Sequence, residues 1–89
     1  MRFVLDGSSV GSREALHRTL AAGLRLPDWY GGNLDALHDC LTDITEPTEL
    51  VIRGGAALET ALCGYAAALW RVLADCAAEN EMFSVTWEE

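Results

Sequence analysis

Residues 49–53 read ELVIR, Glu49-Leu50-Val51-Ile52-Arg53, with Pro47 just before and Gly54-Gly55 just after. A short apolar run between a helix breaker and a glycine turn reads as a buried strand. This reading decides the fold, because the segments on both sides of the run have helical rather than strand periodicity. Before it, Asn33 to Asp43 places Leu34, Leu37 and Leu41 on one sector of a helical wheel at about 100° per residue. Asp35, Asp39, Thr42 and Asp43 share another sector, and His38 lies on the border. Such a helix buries its leucines and presents its carboxylates. Asn33 suits the N-cap, where its side-chain oxygen accepts an orphan amide, and Asp35 is favoured by the helix dipole.

After the run, a short helix is expected around Ala57 to Cys63, with Gly64 interrupting the period. A longer helix follows from Tyr65 to Glu79, with Leu69, Leu73 and Cys76 inward and Trp70 at the edge. Asn80 suits a left-handed C-terminal cap. At the N-terminal end, Arg2 to Asp6 alternates as a strand. Ser12 then caps a helix with Leu16, Leu20 and Leu24 on one stripe, which Pro27 prevents from continuing. Phe83 to Trp87 is a last alternating strand. The order is β-α-α-β-α-α-β. Helical connections between successive strands favour parallel pairing with right-handed crossovers. The expectation is an α/β fold: one domain over residues 1–89, with a three-stranded parallel sheet packed with helices.

Composition narrows the function. The net charge is −8, and all six basic residues are arginines. Residues 26–52 hold six acids and no arginine, and residues 72–89 hold five acids and no arginine. If these segments meet, one face repels nucleic acid and anionic membrane and attracts a basic partner. The competing account is a face kept acidic for solubility. No apolar run approaches the ~18 residues that span a bilayer, and there is no signal-peptide pattern, so a cytoplasmic monomer is expected. The three cysteines, Cys40, Cys63 and Cys76, have neither the number nor the spacing for a disulfide framework or structural zinc. They read as small buried hydrophobes.

Enzymatic constellations find little support. His17 and His38 are the only histidines, and no nucleophile motif surrounds them. His17 reads as a surface position. Ser8, Ser9 and Ser12 look like turn and cap residues. Asp35, His38 and Asp39 share a helix face and could begin a metal site, but no further ligand presents itself, so neither metal nor cofactor is expected. Gly31-Gly32 has no lysine behind it and is not a phosphate loop. Protein recognition remains. In "WYGGNLDALHDCL", residues 29–41, rigid aromatic rings and charges of the kind found at interface hot spots flank a glycine turn. The glycines allow close approach or positive φ, and the carboxylates of one helix can mimic the phosphates of a nucleic acid.

That stretch closely resembles the signature of the barstar family of intracellular ribonuclease inhibitors. Chain length and element order fit as well. The resemblance implies a partner, a basic ribonuclease of the barnase type, and a mechanism: the second helix and the loop before it plug the enzyme's active site. It implies that Trp29 packs over the catalytic region, that Tyr30 and His38 are among the partner-binding residues, that Gly31 and Asn33 belong to the binding loop, and that Asp35 and Asp39 meet basic groups of the enzyme. Asp39 would take the place of a substrate phosphate. Asp75 and Glu79, an i, i+4 pair, match a second acidic contact on the last long helix. His38 stands where the family usually has tryptophan. This replaces a large apolar contact with a smaller, titratable one, so inhibition is expected to vary with pH. The alternative is an immunity or regulatory module that binds a basic protein other than a ribonuclease.

Overall fold

The computed structural model describes residues 1–89. Strand β1 (Arg2–Asp6) leads through a 3-10 turn (Gly7–Ser9) to helix α1 (Arg13–Gly23) and then α2 (Leu34–Thr42). Strand β2 (Thr48–Arg53), helices α3 (Gly55–Leu62) and α4 (Gly64–Glu79), and strand β3 (Phe83–Trp87) complete it. The sheet is parallel throughout and ordered β1-β2-β3. The ELVIR run is therefore its central strand, paired on both edges, which is why it carries the most continuous burial.

Alternation along the strands sorts the sheet into two faces. Leu5, Leu50, Ile52 and Phe83 point into the main apolar cluster with Leu16, Leu20, Leu37, Leu41, Leu58, Leu69 and Leu73 of the helices. Each such leucine contributes about 1.5–3 kcal/mol by leaving water. The alternate residues, Val4, Val51 and Thr86, share the opposite face in one register row. They lie outside that cluster. Two ion pairs, Arg2 to Glu49 at 3.4 Å and Arg53 to Glu88 at 3.2 Å, lie across this second face.

Local signals explain the element ends. The Ser12 hydroxyl accepts from the Ala15 amide at 3.1 Å and starts α1. Asp6 accepts from the Ser8 amide and the Ser8 and Ser9 hydroxyls at 3.0, 2.6 and 3.1 Å, which fixes the turn leaving β1. At the end of α1, Arg25 adopts φ 54° and the Leu26 amide donates to Ala21 O at 2.9 Å. This is the helix-ending motif that usually uses glycine at the left-handed position. Gly23 is required for another reason: a Cβ there would sit 2.2 Å from the Phe3 ring.

Three expectations need correction. The break between α3 and α4 falls at Cys63, in an unusual backbone conformation (φ 51°, ψ −132°), and Gly64 begins α4 instead of interrupting it. Cys63 is also exposed, whereas Cys40 and Cys76 are buried. Asn80 is extended (φ −130°, ψ 108°), not left-handed. Its side chain caps a different helix: Nδ2 donates to Leu41 O at 3.0 Å and Ile44 O at 2.9 Å, at the C-terminal end of α2.

Candidate functional site

The loop before α2 is built as a turn with one aromatic outside and one inside. The Tyr30 amide donates to Pro27 O at 2.9 Å. Trp29, at the turn, is 65% exposed. Tyr30 turns inward, and its hydroxyl hydrogen-bonds His17 Nδ1. Gly32 takes φ 69°, a conformation that side-chain-bearing residues avoid, while Gly31 stays outside that region. The Asn33 Oδ1 then accepts from the Ala36 amide at 2.8 Å and starts α2, a cap worth about 1 kcal/mol.

His17 is not a surface residue. It is 5% exposed, and its other ring nitrogen, Nε2, lies 2.6 Å from the Tyr65 hydroxyl. Arg13 stacks over the Tyr65 ring at 4.4 Å. Burial lowers the imidazole's proton affinity below its ordinary value of 6.5, with Glu14 opposing weakly. Burial also holds the Tyr30 and Tyr65 phenols protonated, so both can donate. A neutral imidazole has one N–H and one bare nitrogen. It therefore donates to one phenol and accepts from the other, and no polar atom of the trio is orphaned. His17 and Tyr65, which sequence reasoning did not place in the site, thus tie the loop to α1 and to the start of α4. A signal was present: His17 falls within about 100° of Leu16 on the wheel, in the same sector as Leu20 and Leu24.

The carboxylates lie on the outside. Asp35, Asp39 and Asp43 are all exposed, and the Asp39 side chain keeps 75% of its surface free. On α4, Glu79 points to α2. Its Oε2 lies 2.7 Å from His38 Nε2, while Asp39 is 3.9 Å from His38 Nδ1. The structure thus brings His38, Asp39 and Glu79 together, joining the two acidic segments. Asp75, one turn earlier on α4, forms no ion pair with α2. Below the contact, Cys76 Sγ approaches His38 O at 3.8 Å. Burial pushes its thiol up to about 11, so it adds no charge. No group of three or more His, Cys, Asp or Glu side chains is placed to hold a metal ion.

A parallel three-stranded α/β scaffold thus displays an acidic ridge and an exposed indole. The family model described as "Barstar (barnase inhibitor)" matches residues 1–88, and the chain belongs to the barstar family. It is also similar to a Bacillus subtilis (strain 168) protein described as "Putative ribonuclease inhibitor YrdF". The two are 41% identical over 66 residues, covering 73% of this chain and 72% of that protein. No helix is long and apolar enough to cross a membrane.

Proposed function

We propose that this protein inhibits a basic ribonuclease of the barnase type by seating α2 and residues 29–33 in the enzyme's active site. The observation that carries this reading is the outward row Asp35, Asp39 and Asp43 beside the exposed Trp29, in a chain of the barstar family. A ribonuclease site is shaped and charged to hold phosphates, and carboxylates at helical spacing supply that charge without a scissile bond. Trp29 supplies apolar area at low entropic cost. Asp75 and Glu79 extend the negative field along α4. The protein contributes no catalytic group. Occlusion and electrostatic complementarity are sufficient.

Asp39 is assigned the dominant contact. The barnase–barstar pair is itself a standard instance of a dominant interfacial aspartate, so family membership supplies this direction and the exposure of Asp39 agrees with it. The test is RNA cleavage by a barnase-type ribonuclease, titrated with this protein and with Asp39→Ala. The expected result is stoichiometric inhibition by the parent, lost in a variant that unfolds at the same denaturant concentration. A folded parent that leaves cleavage untouched overturns the reading. It then favours the other occupant, a basic protein that is not a ribonuclease.

A further inference from the structure

A second aromatic feature lies on the other flank of α4. Trp70 and Trp87 meet edge to face, ring centroids 5.4 Å apart at 73°. They wall an open hollow of about 530 Å³ whose apolar lining is completed by Ala66, Ala67 and Ala74. Cys76 and Glu79 make the polar contacts of α4 to α2. Trp70 and Ala74 lie about 120–180° around the helix from both, at about 100° per residue. The hollow therefore opens on the far flank of α4 from the His38–Glu79 contact, and of the acidic residues assigned to the ridge it shares only Asp75.

Its rim carries Glu59 from α3, Asp75 from α4 and Glu89 beyond β3, against a single base, Arg71. None of the three carboxylates is ion-paired; the chain's ion pairs are formed by other residues. Trp70 is 39% exposed, so part of its ring face is open to solvent. Indole faces attract cations, tryptophan most strongly, and unpaired carboxylates around an aromatic wall add to that attraction. A planar guanidinium fits best, because it can stack on a ring while its N–H groups fork to carboxylates.

We propose that the Trp70–Trp87 hollow is a second docking site, one that takes an arginine side chain from a basic segment of another protein. The experiment uses the Trp29→Phe variant of the full chain, in which the two remaining indoles are those of the hollow. Its fluorescence is titrated with a short arginine peptide and with the same peptide carrying neutral citrulline. The expected result is a saturable change with arginine only. It should weaken about threefold in Trp70→Leu and in Glu59→Gln and stay unchanged in Asp39→Ala. An equal response to citrulline, or no saturable response, overturns the proposal. So does a fluorescence that depends on protein concentration without peptide, because the hollow would then be filled by a second copy of the chain. Glu59→Gln keeps the test decisive even if Trp70→Leu perturbs the fold, because Glu59 is exposed and makes no ion pair.

Discussion

The two histidines, His17 behind the loop of residues 29–33 and His38 on α2, have opposite environments. His17, behind the loop, is buried, neutral and bonded at both ring nitrogens to phenols. His38, in front, is half-exposed on the acidic ridge with a glutamate of another helix at 2.7 Å. The side behind the loop is satisfied internally and asks nothing of solvent or partner. The ridge keeps a surplus of exposed negative charge. Substitutions behind the loop should therefore be read in stability, and substitutions on the ridge in binding.

The largest effect expected on that contrast is Asp39→Ala: the greatest single loss of inhibition, with the urea midpoint unmoved. If the midpoint fell instead, Asp39 would belong to the scaffold and the contrast would fail. Next is His17→Ala, which empties a buried site and leaves two phenols unpaired. It should cost about 2–4 kcal/mol in urea unfolding, a large part of the ~5–15 kcal/mol that holds a domain together. Inhibition per folded molecule should change far less.

A pH series sharpens the same point. The unfolded chain protonates His17 near 6.5, whereas burial keeps it neutral to lower pH in the folded state. The stability it contributes is therefore complete above pH 6.5. As pH falls below that value toward the folded pKa, that stability is lost by up to about 1.4 kcal/mol per pH unit. His17→Phe should remove that slope, so a slope equal to the parent's would assign it to other groups. The smallest effect belongs to His38→Gln. Its pair with Glu79 is partly exposed, so stability should shift by less than about 1 kcal/mol.

The contrast also shows where sequence reasoning reaches. The central strand, the leucine stripes and the Ser12 and Asn33 caps follow from neighbours within a few residues, and each stands where its local pattern placed it. The carboxylates facing outward from α2 follow from the same wheel. The errors came from partners distant in sequence. His17 is fixed by Tyr65, 48 residues on, and Asn80 serves Leu41 and Ile44. A helical wheel shows that a polar residue shares the apolar sector, but not which distant phenol will satisfy it. Cys63 misled differently. Glycine was the expected breaker, yet the break lies one residue earlier, at the exposed Cys63 with φ 51°.

Asn80 has one further consequence, for biosynthesis. It holds the end of α2, and the strand just after it completes the pairing of β2. At roughly 5–20 residues per second, about two to seven seconds separate the synthesis of α2 from that of its clamp. During that interval a nascent chain carries the acidic ridge without the groups that hold it in place. Completion of the acidic ridge therefore waits for residues around position 80, and newly started chains lag behind by that delay.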